Sequence, residues 1–415
     1  EVFFLTAEDI LDFIVNFETS KRITKEDSYK VLRRTILQEN DLLITIKGKI
    51  GNAAVVYKLK GETNINQDVA RIIIKKSIGE RKINPYFIAA FINSKFGRLQ
   101  VEQLATSQIN PFLGLGNLKQ IVIPLLSEKF QNKIEDVIKK ALKLFYDSYF
   151  IFSQAENLLL EELGLKDLKP KYEKTYTANL SSALSAHRID AEYFQPAYEE
   201  ILRIVSKKYN LIPLNKIFDF RRGVFIPPDF YTEQKTSRPY IRIKELSGKL
   251  GIDESKIIFV SDDYPNYEID QLHENDLVIA IIGDTIGKTN RITKELADGF
   301  CSNNTGRLRI KLEFKEKVLS EYAEILFQSI VIQSQIEKKK AQTGQPKIND
   351  SEIRSIKIPL LPLEIQQKIA SLVQKSHEAR RKAKELLEIA KRAVEIAIEK
   401  NEEEAMDYIS KFSIE

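Results

Sequence analysis

At 415 residues, 43% hydrophobic and 30% charged, the chain is long enough for two or three packed domains and too apolar to be disordered. Its 64 Lys and Arg against 59 Asp and Glu give a formal charge of +5, which permits a nucleic-acid partner without establishing one, because that footprint is a local patch. The lone Cys301 excludes an intramolecular disulfide and points to the cytoplasm, three scattered histidines argue against a zinc site, and no apolar run approaches the roughly 20 residues that span a bilayer.

In chain order, Val2–Thr6 reads as a strand entering a sheet already begun, so the first unit is expected to lack its beginning, and Lys21–Lys30 reads as a polar loop. Leu42 to Ile46, broken by Gly48 and Gly51 before Ala53 to Tyr57, gives strand, tight turn, strand, with glycine supplying the positive φ of the turn. Arg71–Lys75 is a further short strand, and Tyr86–Leu104 is helical in period. From Leu126 to Leu163 apolar and small residues alternate in spacings of four and three: Phe130, Ile134, Val137, Ala141, Leu144, Ser148, Ile151, Ala155 and Leu158. This is the seam of a helix paired with another, about 57 Å long at 1.5 Å per residue. Gly164 stops it, and the polar stretch that follows is a linker.

The second half repeats this order. Asp41 and Asp276, Gly48 and Gly283, Pro111 and Pro346, and Pro124 and Pro359 are each 235 positions apart. Arg238–Leu246 matches the opening strand, with Glu1 aligned on Thr236, while Ala186 to Lys235 finds no counterpart. The long helix recurs in register as Ile365, Ile369, Leu372, Ser376, Ala379, Ala383, Leu386, Ala390 and Ala393. Two copies of so long a unit mean duplicated domains rather than a solenoid. The expected fold class is α+β: two tandem mixed α/β domains, each followed by a long helix, the two helices pairing as an antiparallel coiled coil. The boundaries fall at 1–124, 125–165 (first helix), 166–185 (linker), 186–359, 360–402 (second helix) and 403–415 (tail).

No motif carries chemistry. Gly283-Asp284-Thr285-Ile286-Gly287-Lys288-Thr289 has three residues, not four, between the first Gly and Gly-Lys-Thr, so it reads as a turn rather than a phosphate loop. Asn84-Pro85-Tyr86-Phe87 lacks the second proline of the adenine-methyltransferase loop and is explained by a helix cap. The polar segments ahead of each Ile-Pro are more informative. Thr106, Ser107, Gln108 and Asn110 in the first, and Gln342, Thr343, Gln345 and Lys347 in the second, supply amides, hydroxyls and a cation suited to base edges and phosphates. Lys47, Lys49, Arg221, Arg222 and Arg242 are weaker DNA-binding candidates, since basic residues are most often simply solvated.

This arrangement resembles the specificity subunit of type I restriction-modification enzymes. Arg188-Ile189-Asp190-Ala191-Glu192-Tyr193-Phe194-Gln195-Pro196 is similar to the segment opening a target recognition domain there, and Ile358-Pro359-Leu360-Leu361-Pro362-Leu363-Glu364-Ile365-Gln366-Gln367 to the entry into its long helix. The resemblance implies a non-catalytic reader of double-stranded DNA whose two recognition domains each take half of a bipartite site, spaced by the paired helices. A helix of about 57 Å exceeds one DNA turn of roughly 34 to 36 Å, which suits separate half-sites. It implies methyltransferase and restriction subunits as partners, with S-adenosylmethionine in the former, ATP and Mg in the latter, and no cofactor or metal in this chain. Two alternatives stay open at this stage: the C-terminal region of a fused restriction-methyltransferase, and a coiled-coil scaffold that binds no DNA.

Overall fold

A computed structural model describes residues 1–74, 77–78, 81–107, 109–233, 238–265, 268–341 and 344–412. The chain forms two compact units, one built from Glu1–Ser148 with Glu378–Glu415 and the other from Tyr149–His377. In chain order the first carries β1 (Val2–Leu5), β2 (Lys21–Ile23), α1 (Lys25–Lys30), β3 (Leu42–Thr45), β4 (Ala53–Val55), β5 (Thr63–Ile65) and β6 (Val69–Ile72). The small hairpin β7 (Ser77–Ile78) and β8 (Arg81–Lys82) follows, then α2 (Pro85–Asn93), α3 (Lys95–Leu104), α4 (Leu115–Leu118) and the first part of α5 (Glu128–Glu162).

The second unit takes the rest of α5, then α6 (Leu180–Ala186), α7 (Pro196–Ser206), β9 (Leu211–Pro213), α8 (Leu214–Ile217), β10 (Phe218–Arg222), β11 (Tyr231–Thr232), β12 (Pro239–Ile241) and β13 (Ile258–Val260). It continues through β14 (Leu277–Ala280), β15 (Thr289–Arg291), β16 (Phe300–Cys301), β17 (Thr305–Ile310), α9 (Ser320–Gln328), α10 (Ile330–Lys339), α11 (Asp350–Arg354), β18 (Lys357–Pro359) and the first part of α12 (Leu363–Glu399). The remainder of α12 and α13 (Glu402–Ser410) belong to the first unit. The fold is α+β.

Each unit holds one antiparallel sheet that positions the loops of interest, β4-β3-β6 in the first and β10-β17-β14-β15 in the second. Leu42 pairs with Val55 and Ile72, and Leu277 with Arg291 and Leu308. The offset is therefore 235 along β3 and β14 but 236 across their neighbours, because the second glycine turn is one residue longer. A parallel pair lies beside each sheet: Phe4 opposite Asn64 on β1 and β5, and Tyr240 opposite Phe300 on β12 and β16. The opening strand thus aligns at 236, correcting the register that set Glu1 on Thr236.

Helix positions follow local chemistry. Asn84 caps α2, its side chain accepting from the Tyr86 and Phe87 N–H groups, with Pro85 in the first turn where a missing N–H costs nothing. The helical stretch expected at Tyr86–Leu104, and its repeat at 322–340, are each two helices, broken at Ser94 and Ser329, whose hydroxyls donate back to the Phe91 and Leu326 carbonyls. Gly164, just past the end of α5, turns the chain away with φ +71°. Lys21–Lys30, expected as a loop, is β2 and α1, because β2 pairs with β1 through Val2–Ile23 and Thr24 caps α1 by accepting from Asp27 N–H. The expected linker holds α6, and the expected tail holds α13, which buries Ala405 and Ile409 in the first unit's core. Burial of that one isoleucine contributes about 2 kcal/mol.

The long helices pair within each unit. In the first, Phe130, Ile134, Val137 and Ala141 of α5 share a core with Leu386, Ala390, Ala393 and Ala397 of α12. Ser127, at the start of α5, donates its N–H to Glu402 just past the end of α12, so the two run antiparallel. In the second, Phe152, Ala155 and Leu159 share a core with Ile369 and Val373. The buried face is wider than the four-three seam: Ile138, Leu142 and Phe145 are also covered, because each helix packs on the strands and helices of its unit as well as on its mate. No helix among the described residues is long and apolar enough to cross a membrane.

Candidate nucleic-acid interface

In both units one end of the antiparallel sheet is closed by a glycine turn with a polar loop laid across it. In the first, Ile46 N–H donates to the Asp68 carbonyl (2.9 Å) and its own carbonyl accepts from Leu113 N–H (2.8 Å). Thr106 and Phe112 exchange both backbone hydrogen bonds, at 2.9 and 3.0 Å, and Phe112 also pairs with Lys47. The loop 106–112 is thereby closed on itself and fixed to the turn. In the second unit Ile281 N–H donates to Asn304 O (3.1 Å), Ile281 O accepts from Ile348 N–H (3.1 Å), Ala341 and Lys347 pair, and Lys347 pairs with Ile282. Every one of these partners is the 235 or 236 counterpart of its fellow in the first unit.

The turns themselves are built alike. Gly51 N–H donates to Thr45 O and Gly287 N–H to Ala280 O, at 2.8 and 2.9 Å, with φ of +82° and +87°. A Cβ on Gly51 would lie 2.8 Å from Val101 Cγ1, and one on Gly287 2.5 Å from Gln333 Oε1. Both the left-handed backbone and the close approach of α3 or α10 therefore demand glycine. The strand β15 after Gly287-Lys288 removes the helix that a phosphate loop needs, so the turn is structural.

What projects from this shared frame differs. In the first unit Lys47, Lys49, Thr106, Ser107 and Asn110 are exposed around the turn, together with Gln67 next to Asp68. In the second, antiparallel pairing of Arg222 with Gly306 and of Ala280 with Thr305 brings Arg221 and Arg222 to the same sheet end as Asn303, Asn304, Asp284 and Lys288. Gln345 and Lys347 reach it through the bond from Gly283 N–H to Pro346 O (2.8 Å). Gln108, Gln342 and Thr343 lie outside the described residues.

Two of the arginines are engaged within the protein. Arg222 donates to Asp350 at 2.7 Å while remaining 41% exposed, and Arg221 Nε stands 3.6 Å from Asp219 with its side chain 45% exposed. Arg242 is different: its N–H and guanidinium both bond the buried Glu245 carboxylate at 2.6 Å, and the guanidinium also reaches Lys256 O at 3.0 Å. This repeats the bond from Thr6 N–H to the Asp9 carboxylate (2.8 Å), so Arg242 serves a turn cap and its charge is satisfied internally. Gln67, Asn303 and Asn304 were not singled out by the sequence; exposed amides between two short strand signals were the available clue. Phosphate contact from Lys47, Lys49, Arg221, Arg222 and Lys347, and base contact from the amides and hydroxyls, is what such a sheet end offers chemically.

The comparisons with known proteins agree with this geometry. Residues 206–389, most of the second unit, match the family described as type I restriction modification DNA specificity domain. The second unit thus carries a DNA specificity domain of that class. The type I restriction enzyme EcoBI specificity subunit of Escherichia coli is 28% identical over 151 residues, 36% of this chain and 30% of that protein. The match spans about a third of that relative's length. Solved structures that align over most of the chain include an S subunit from M. genitalium (14% identity, TM-score 0.41, covering 95% of this chain and 87% of that one). Another is the HsdS subunit from Thermoanaerobacter tengcongensis (14% identity, TM-score 0.32, covering 96% and 90%).

Proposed function

We propose that this chain reads a bipartite double-stranded DNA site, one half with each loop-bearing sheet end, and positions adenine-N6 methyltransferase and restriction subunits on it. The chain itself takes no catalytic step; S-adenosylmethionine belongs to the methyltransferase partner and ATP with Mg to the restriction partner. The observation that carries this reading is the pair of sheet ends. Most of their backbone hydrogen bonds and all the bridges that fix the loop to the turn have counterparts, while the projecting side chains differ: Lys47, Lys49 and Asn110 in one, Arg221, Arg222, Gln345 and Lys347 in the other. A fixed frame with variable projections is what two readers of different sequences require. Lysines and arginines would hold phosphates, and amides would discriminate base edges.

The test is duplex binding by the chain with its methyltransferase partner, over a salt series, followed by mapping of methylated adenines in a host expressing both. Salt-dependent binding and a single two-part methylated motif are expected. Binding to no duplex, or methylation without sequence preference, would overturn the reading.

A further inference from the structure

The loop between Thr106 and Phe112, which lies across the first unit's glycine turn, holds an isoleucine almost wholly in solvent. Ile109 is 91% exposed, and Phe112, where the loop rejoins the turn, is 43% exposed. The loop that carries them is fixed. Thr106 and Phe112 exchange backbone hydrogen bonds, and Thr106 Oγ1 donates to Phe112 O at 3.1 Å. Asn110 N–H donates to Ser107 Oγ at 3.4 Å, across a left-handed Ser107 with φ +68°. Single exposed apolar residues are ordinary on protein surfaces, so the weight of this one lies in its place and in what its sister unit does there.

The second unit shows that the frame does not need this side chain. Its loop is closed by the same pairing, Ala341 with Lys347, and the residue 235 positions beyond Ile109 is Gly344. A Cβ on Gly344 would meet nothing within 4 Å and its backbone is not left-handed, so neither space nor conformation dictates the residue. Phe112 likewise has Lys347 as its counterpart. Apolar groups in one loop stand where the other has a bare backbone and a cation.

What an apolar tip can read follows from the chemistry of base edges. A turn of two paired backbones, about 5 Å apart before side chains are added, fits the major groove of roughly 12 Å rather than the minor groove of about 6 Å. Guanine, cytosine and adenine present only polar atoms there, and thymine alone adds an apolar group, its 5-methyl. Lys47 and Lys49 are exposed on the turn, Lys47 pairing with Phe112, and they supply the phosphate contacts that would hold the loop in the groove.

We propose that Ile109 is a specificity-determining residue that packs on a thymine 5-methyl in the half-site read by the first unit; this deepens the DNA-reading role proposed above and rests on it. With Gly344 in the equivalent place, the second loop makes no such contact.

The test uses the chain with its methyltransferase partner and duplexes carrying the mapped two-part motif. Each thymine on either strand is replaced in turn by uracil, which removes the methyl and keeps the hydrogen-bonding edge. In the wild type, uracil at one thymine of one half should weaken binding about fourfold, the worth of one buried methyl. I109A should bind the thymine and uracil duplexes equally at that position, I109V should retain the difference, and uracil effects elsewhere should be the same in all three proteins. Ile109 is exposed, and unchanged melting would confirm that the variants fold. Selective binding with no uracil-sensitive thymine, or a sensitivity that I109A keeps, would overturn this proposal and leave the DNA-reading role standing. So would equal weakening of I109A on thymine and uracil duplexes alike, which would assign Ile109 to a wedge between base pairs or to the partner's surface. Binding to no duplex would overturn the DNA-reading role and this proposal together.

Discussion

Gln131 and Gln366, 235 positions apart, make the same two hydrogen bonds in their respective units. Each amide nitrogen donates to the carbonyl five residues back, Leu126 or Leu361, at 2.9 and 2.8 Å. Each amide oxygen accepts the N–H of the residue that precedes the α2 or α9 helix, Asn84 or Leu319, at 3.0 Å. Both side chains are almost wholly buried. One glutamine therefore ties the start of a long helix to the helix behind the sheet. Replacing either with leucine leaves a buried donor and acceptor without partners and should destabilise its unit by about 2 kcal/mol, read from urea unfolding.

The glycine turns should divide by what surrounds them. At Gly48 and Gly283 an added Cβ meets open space, so alanine there costs only the left-handed backbone, about 1 kcal/mol. At Gly51 the Cβ also strikes Val101, so Gly51→Ala should cost clearly more, about 3 kcal/mol. Gly287→Ala should fall between, since the clashing atom is the end of a flexible glutamine. Melting temperatures of the four variants check the order.

Glu324 is fully buried, which by itself would raise its carboxyl; the His377 ring and the Arg291 guanidinium outweigh burial and hold it below its ordinary value of 4.5. The ring nitrogen lies 3.0 Å and the guanidinium 3.3 Å from the same carboxylate oxygen. A group held low in the folded state stabilises fully above its unfolded value, and that contribution is lost as pH falls through the lowered one. Glu324→Gln should cost about 3 kcal/mol at neutral pH and flatten the acid side of the stability curve, measured by denaturant unfolding at several pH values.

Cys301, the single cysteine, lies on β16 with 2% exposure, and burial pushes its thiol up to about 12. Maleimide labelling of the native chain near neutral pH should be slower than labelling in urea by several orders of magnitude, because the thiolate is scarce and covered. Fast native labelling would show that β16 opens readily.

On DNA, replacing Lys47 and Lys49 with alanine should weaken binding across sequences and reduce the salt slope by about 0.9 for each phosphate that is no longer neutralised. Replacing Gln345 and Lys347 should change sequence preference at one half of the site alone. Arg242→Ala should lower the stability of its turn instead, since its guanidinium is held by Glu245. Binding titrations on duplexes altered in one half at a time separate these outcomes.

Much of the architecture was legible because a repeat is a property of the linear chain. Asp41 with Asp276, the paired glycines and the four-three seams announced two like units and two long helices, since periodicity and turn chemistry act over a few residues. The shift to 236 after the turns is hidden in the linear chain because it is absorbed inside the second turn, and that of the opening strands shows only in their pairing. Which side chains share a sheet end was decided by strand pairing: Arg222 meets the Gly283 turn only because β10 lies on β17 and β17 on β14. Tertiary packing likewise took Arg242 for a cap, buried Ile358 under β9 and left its counterpart Ile123 open. The sequence by itself determined the repeat and its elements, whose causes are local; only the tertiary structure decided which groups are engaged and which face outward, because their partners are up to hundreds of residues away.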